Sequence, residues 1–588
     1  VLGERAQVSA TNVLMDSTNG TTLSGSALLD GASLSFNSGR VSVVLADGIA
    51  VSGSGLVLTP AALSALGSAK SLSLLSYTTL DTYGAGTLGS STLENLNLSA
   101  AQIRGFSNTG GILTFTADQV QIANLAGTLG LASETGSAGG TLRIEARELR
   151  LGANSARISQ YGTVQAQVSS GVVFSGTGSL TVVGALGMQT PWFRSAAGSS
   201  HGITATGALQ ITGGGSMAAP ISGPAANISF TGSSLLFDSQ INLPGGRLNL
   251  TATLGTLQMG GSLSAAGQAH GPLSQRRYLQ GGLIRLHALQ GNLTVGGTLD
   301  VSAATGGGEA GRLELAVPAG ALNINAATLL GMGGASFGLD ARQLPTTASL
   351  NTQLSNAGFT GQRDLRVREG NVLLDGSARV ASLTVSADAG EIRVSGQVDA
   401  SGKTGGVIRL LAAQGVTLQS GAVLNASAQR VDAAGKGGAV YLETRGQSGG
   451  QISIAAGSVI NLAVADPLTE GQFSGTLHLR APRTAGGTTL SVAPVAGSIL
   501  GASAITAEGF QVYDLTGSGT ISTTIRNSVQ TDGAAFAAPA FGAGDVSWRR
   551  SQHGRNRRSA RNDTQGGRGI ARPRPYRIAK ADGTNRPV

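Results

Sequence analysis

The chain has 588 residues, 91 of them glycine, and is 41% hydrophobic but only 12% charged and 4% aromatic. That apolar content excludes a generic disordered polymer. The lack of a Gly-X-Y period excludes collagen, and the lack of cysteine excludes disulfides, thiolate catalysis and cysteine-ligated metals. Net charge is +9, but 12 of the 40 basic and 2 of the 31 acidic residues lie from Arg549 onward, leaving 28 basic and 29 acidic residues in the first 548. A body so close to neutral has no electrostatic basis for binding nucleic acid.

Residues 1–58 read as strands, with Val41-Ser42-Val43-Val44-Leu45 closed by the turn signal Asp47-Gly48. A short helix is predicted near 60–66. Thr59 caps its amino end, Pro60 suits the first helical position, and Gly67 closes it. Strands resume over 71–100. A unit of glycine followed by alternating residues then appears at Gly111–Phe115 and Gly140–Ile144, and recurs at Gly246, Gly282, Gly311 and Gly475. It dominates residues 390–456, where Ile392 and Val394, Ile408 and Leu410, Val440 and Leu442, and Ile452 and Ile454 flank Arg393, Arg409, Tyr441 and Ser453. Side chains alternate across a strand, so each unit has one apolar and one polar face.

Two stretches break the pattern. Residues 184–245, rich in glycine and proline and containing Pro191-Trp192-Phe193, are predicted as loops extruded from the body. So are residues 267–280, with Arg276-Arg277-Tyr278. A second helix is predicted at Thr347–Ala357, with Leu350 and Leu354 on one face and Gly358 at its end. Beyond about residue 530 the alternation fades, and the Arg-rich tail from Arg549 is predicted to be disordered.

Glycine-led strands recurring at spacings such as 29 (Gly111 to Gly140), 36 (Gly246 to Gly282) and 32 (Gly406 to Gly438) are expected to be coils of a β-solenoid. Burying the two or three aliphatic residues of one strand gives about 1.5–3 kcal/mol each. Ordering the backbone costs about 1–2 kcal/mol per residue. A lone coil is therefore unstable and only a stack folds. The expected divisions are 1–183, 184–280 with loop insertions, 281–530 as the repeat region, and 531–588 as a degenerate end and tail.

Motifs for catalysis do not rise above chance. Gly84–Gly89 matches GxGxxG, but about two such matches are expected at this glycine content and no βαβ unit surrounds it. Gly396–Thr404 has five residues between glycines where a phosphate-binding loop needs four, and a strand follows it. GxSxG occurs at Gly198–Gly202, Gly334–Gly338 and Gly446–Gly450 without strand–elbow–helix context. His201, His270, His287, His478 and His553 form no ligand pair, and His287 and His478 fall on polar strand faces. The acidic residues are scattered, as with Asp399, Glu443 and Asp466. Trp548 and Tyr576 in the tail are able to stack on bases or sugars, but the tail reads first as a flexible terminus or as translation beyond a frame change. No catalytic, cofactor-binding or metal residue is singled out, no cofactor is expected, and no apolar run reaches transmembrane length.

The units Gly281–Ala288, Gly297–Ala303 and Gly396–Gly402, the segment Ser71–Gly84 and the run before Gly358-Phe359 resemble the filamentous haemagglutinin family of Gram-negative exoproteins. The resemblance covers roughly residues 1–530. It implies an all-β, right-handed parallel β-helix (β-solenoid) with short helical and loop insertions, and export by two-partner secretion through an outer-membrane transporter. It also implies a place on the cell surface or in the medium, and adhesion to host or bacterial surface glycans or proteins rather than enzyme activity. The family's secretion domain with its Asn-Pro-Asn motifs is absent, as is Arg-Gly-Asp, so the chain reads as processed or partial and no receptor carries over. The alternatives are a β-helical polysaccharide-active enzyme and an autotransporter passenger.

Overall fold

A computed structural model describes residues 2–18, 20–24, 26–51, 54–128, 139–213, 219–430, 437–466, 475–484, 489–515, 519–537 and 578–579. The fold is an all-β parallel solenoid, and the chain divides into two compact units, residues 1–335 and 336–588.

In the first unit, parallel pairing runs along three ladders, and side chains of one phase stack inward from coil to coil. One stack is Leu34, Leu72, Leu96, Val120, Leu149, Val172, Phe193, Ile241, Leu263, Leu299 and Leu329, each buried and each in register with the next. A second ladder stacks Leu88, Phe115, Ile144, Ala166, Met188, Ile211, Phe237, Met259 and Val295. A third stacks Leu180, Ile203, Phe230, Leu250, Leu286 and Leu315. These stacks are the alternation of the sequence made physical. A coil takes 24 residues from Leu72 to Leu96, 20 from Phe230 to Leu250 and 36 from Leu250 to Leu286.

Glycine leads the strands because the coils touch there. A Cβ on Gly282 would lie 1.9 Å from the Gly246 carbonyl oxygen, and one on Gly311 would lie 2.1 Å from that of Gly282.

Residues 184–245 correct the loop expectation. Their described part forms strands 185–189, 192–195, 200–205, 209–212, 227–232, 235–237 and 240–242. Trp192 and Phe193 are only 7% and 1% exposed. Phe174, Phe193, Phe230 and Phe237 pack with ring centres 5.1–6.4 Å apart. The glycines serve tight corners, as at Gly198 (φ +63°) and Gly213 (φ +109°), and not extruded loops. The second expected insertion does stand out: Gln268–His270 pairs antiparallel with Arg277–Leu279, inside the 36-residue coil. The predicted first helix, α1, is Pro60–Ala65, with the Thr59 hydroxyl accepting from the Ala62 N–H at 3.2 Å.

The second unit repeats the plan. Leu339, Leu365, Val385, Leu410, Leu442 and Leu479 stack in register, with coils of 20, 25, 32 and 37 residues from Leu365 onward. Val372, Ile392, Val416 and Ile452 form a second stack, and Ala378, Val398, Leu424 and Ile460 a third.

The predicted second helix, α2, is Ala348–Asn356, with Leu350 and Leu354 buried. Its ends are tied from the coils. Asp375 accepts from the Thr347 and Ala348 N–H groups at 2.8 and 2.7 Å, where Thr347 itself makes no side-chain cap. Burial would raise the Asp375 pKa, but hydrogen bonds from Thr346, Thr347 and Ala348 outweigh it and hold it below the usual range. Beyond the carboxyl end, Gly358 takes φ +84°, and Phe359 N–H donates to the Leu354 carbonyl at 2.9 Å. Arg363 occupies an inward position between Phe337 and Leu383 and is fully buried. It donates to Phe359 O at 3.0 Å, Ser355 Oγ at 3.0 Å and Asn351 Oδ1 at 3.2 Å. Burial pushes its pKa down to about 10, so it stays charged at neutral pH, near the negative end of the helix.

A third helix, α3 (Thr523–Ala537), corrects the expectation that repeats run to residue 530. Ile525, Val529, Asp532 and Phe536 recur every three or four residues, a helical period hidden in a stretch where period-2 alternation was fading. No helix among the described residues is long and apolar enough to cross a membrane. The tail expectation lies outside the described residues, apart from Ile578–Ala579, which pairs with Tyr513–Asp514.

Candidate contact surfaces

The motif-bearing segments are parts of coils. Gly84–Gly89 turns directly into the strand 86–89. Gln397–Asp399 within the loop-like Gly396–Thr404 is a strand, and Asp399 Oδ1 accepts from Ser401 and Asn425. Ser200 and Ser336 each open a strand, and Ser448 lies in a 3-10 turn at 447–449. No helix follows any of the three serines directly, so none is a nucleophile elbow. His287 and His478 lie on outer strand faces, half-buried, and His270 is exposed on the hairpin. His201 points inward. It is 3% exposed, with its ring 5.4 Å from Phe174 and Nε2 2.9 Å from Ser175 O. Its Nδ1 has no hydrogen-bond partner in the core, and burial lowers its pKa. His553 and the side chain of Asp466 lie outside the described residues. Among the described residues no three His, Asp or Glu side chains converge as metal ligands.

Most of the polar chemistry sits on outward rows, and much of it is paired. Arg147 Nε lies 2.9 Å from Asp118 Oδ1 and holds that carboxyl below its usual pKa. Burial would raise Glu314, but hydrogen bonds from Arg285 (2.5 Å) and Arg312 (2.7 Å) outweigh it and keep the group ionised. Arg368 binds Asp340 at 2.7 and 2.8 Å. One cluster is buried: Asp81, with 0% of its surface exposed, accepts from Arg40 at 2.5 Å and from Arg104 at 2.6 and 2.9 Å. Sequence reasoning missed it, as it missed Arg363. A cavity of about 10 Å³ beside α2, lined in part by Asn351, Asp375 and Gln397, has room for one water at most.

Two surfaces differ from the rest. On the hairpin, Arg276 and Arg277 are exposed, and residues 268–279 contain no Asp or Glu. Tyr278 lies against the glycine run 306–308; a Cβ on Gly307 would come within 2.8 Å of its ring. In the second unit, Arg409, Tyr441 and His478 are in register on the outer face of three successive strands. Arg409 Cζ sits 4.9 Å from the Tyr441 ring centre, and the His478 ring meets Tyr441 edge-on at 5.7 Å. A parallel row holds Leu411, Glu443, Arg480 and Glu508. Arg480 bonds Glu443 at 2.5 Å and Glu508 at 3.2 Å, and Glu508 also lies 3.2 Å from His478. No known protein family, no curated protein and no solved structure matches the chain.

Proposed function

We propose that the chain is the structural and binding shaft of a secreted or cell-surface bacterial adhesin of the filamentous haemagglutinin type, exported through an outer-membrane transporter. The observation that carries this reading is the arrangement of stacked coils with aliphatic interiors, from which a basic, exposed hairpin at 268–279 stands out. A stack lengthens by adding coils, each needing only its neighbours, so it suits a protein that must present surfaces along its length. Two outward carboxylates, Asp118 and Glu314, are held below their usual pKa by arginines and so are poor general acids near neutral pH. That favours binding over polysaccharide cleavage.

The test is binding of the purified chain to glycan arrays and to whole cells, beside an Arg276→Ser/Arg277→Ser variant. Binding by the parent chain, weakened in the variant, is expected. Uniform absence of binding to glycans and cells alike would sink the adhesin reading.

A further inference from the structure

We propose that the hairpin at 268–279 is a processing site for arginine-directed endoproteases, cut at the Arg276–Arg277 bond, and that the cut disables the hairpin as a contact surface while the coils stay stacked. The position of the cut follows from the fold, whereas its effect on binding rests on the adhesin reading.

A protease takes its substrate as an extended segment drawn away from the rest of the molecule, so a cut falls where least holds the chain back. Residues 271–276 lie outside any strand. Arg276 is extended (φ −62°, ψ 125°), and both it and Arg277 are exposed. Beyond the bond, Arg277–Leu279 pairs only with Gln268–His270, in a sheet of two strands. A ribbon of two such short strands is marginal by itself and opens readily. The hairpin is anchored at its base instead, where the Tyr278 ring covers Gly307 and the Gly281 N–H donates to Glu309 O at 2.8 Å.

Rival sites are held more firmly. Lys70 donates its N–H to Ala32 O at 2.9 Å, and its carbonyl accepts from the Glu94 N–H at 2.8 Å. Beside Lys403, the Gly402 N–H donates to Ser427 O at 3.2 Å, and a Cβ on Gly405 would fall 2.1 Å from the Gly438 nitrogen of the next coil. The Arg342 carbonyl accepts from the Glu369 N–H at 2.8 Å, and its guanidinium lies 3.2 Å from the Glu369 carboxylate.

The cut is a hydrolysis. Water oxygen joins the Arg276 carbonyl carbon as the C–N bond breaks, and the Arg277 nitrogen takes up a proton and leaves as an amine. Arg276 then carries its own terminal carboxylate, and the turn no longer holds the two guanidinium groups side by side. The halves remain joined because three ladders cross the cut, pairing 247–252 with 283–288, 257–259 with 293–295 and 262–264 with 298–300.

The experiment treats the native full chain with trypsin and, separately, with a lysine-specific endoprotease, and maps cuts after residues 6–430 by fragment mass and amino-terminal sequencing. Trypsin is expected to create the amino terminus Arg277 or Tyr278 first, roughly tenfold or more faster than any other cut in that span. The halves should co-elute on size exclusion and separate only in denaturant. The lysine-specific enzyme should spare the hairpin of the parent chain and cut it in Arg276→Lys/Arg277→Lys. Arg276→Ser/Arg277→Ser should slow the tryptic cut roughly tenfold or more, with an unchanged melting temperature. A first cut elsewhere in that span, or halves that part without denaturant, overturns the proposal. So does glycan or cell binding by the nicked chain equal to that of the parent. Absence of binding before any cut sinks the adhesin reading and with it the disabling effect, while the mapped cut is judged on its own.

Discussion

Replacing Asp81 by alanine probes a buried ion cluster of the first unit. Asp81 is sealed from solvent between Arg40 and Arg104, and Arg104 is itself only 8% exposed. Removing the carboxylate strands the Arg104 guanidinium in a dry site, with Thr79 Oγ1 at 3.2 Å as a neutral acceptor. Arg40, whose side chain is 24% exposed, can still turn to water. Breaking a buried pair by deleting one partner costs about 3–5 kcal/mol. With one cation rescued by solvent we expect the lower half of that range. Replacing both Asp81 and Arg104 should cost less, because the buried guanidinium goes with its carboxylate and only Arg40, which can reach water, loses its partner, so Asp81→Ala/Arg104→Met should be more stable than Asp81→Ala alone. Because coils couple mainly to their neighbours, the damage should be local. Hydrogen exchange should show lost protection at 79–83 and 102–106 while 227–252 stays protected. Urea unfolding followed through buried Trp192, in a Trp548→Phe background, should shift less than exchange at the lesion. A single variant that costs under about 1 kcal/mol, or a double variant as costly as the sum of its parts, would refute the reasoning.

Three further outcomes are expected. Leu410→Ala, in the inward stack between Val385 and Leu442, should cost about 2–5 kcal/mol by denaturant titration, whereas its neighbour Arg409→Ala should stay within about 0.5 kcal/mol. Equal effects would show the inward phase to be misassigned. Gly282→Ala places a methyl against the Gly246 carbonyl and should destabilise by about 1–3 kcal/mol, read as a lower urea midpoint. His201 is held neutral by burial, so its folded pKa lies below the unfolded value of about 6.5. Below that pH the unfolded chain binds the proton first, and stability falls with falling pH by at most about 1.4 kcal/mol per unit for this one group. His201→Phe should lose that part of the slope between pH 7.5 and 5.5, and parallel profiles for parent and variant would contradict the assignment.

Much of the fold is legible in the sequence because a strand's inward and outward phases are local properties. Ile408, Leu410, Val440 and Leu442 could be sorted from Arg409 and Tyr441 by parity alone, and all four aliphatics are buried. The caps of α1 were local too, and so were readable. The misreading of 184–245 came from treating glycine and proline as loop formers, when there they mark the corners of short coils and the aromatic residues between them pack inward. Arg363 carries a signal of its own: it shares parity with Leu365 and Val367, both buried, and an arginine in the inward phase must find acceptors inside. Those acceptors come from α2, twelve residues back for Asn351 and eight for Ser355.

Pairing between coils is a different problem, because it depends on how many residues each coil spends on its corners. Asp81 and Arg104 are neighbours at a separation of 23, Arg285 and Glu314 at 29, and Tyr441 and His478 at 37. No fixed period finds all three, since partners in register here are separated by as few as 20 residues (Phe230 to Leu250) and as many as 48 (Phe193 to Ile241). The variation is tolerated because extra residues leave at the corners while the strands keep their phase. The hairpin at 268–279 is one such addition, and the stack on either side of it, Leu250 to Leu286, is undisturbed. Surface chemistry on this fold is therefore assembled by register, with each strand contributing one outward residue to a row. A surface row such as Arg409–Tyr441–His478 has no motif to search for, although every one of its residues lies on a strand face whose polarity is plain from the alternation.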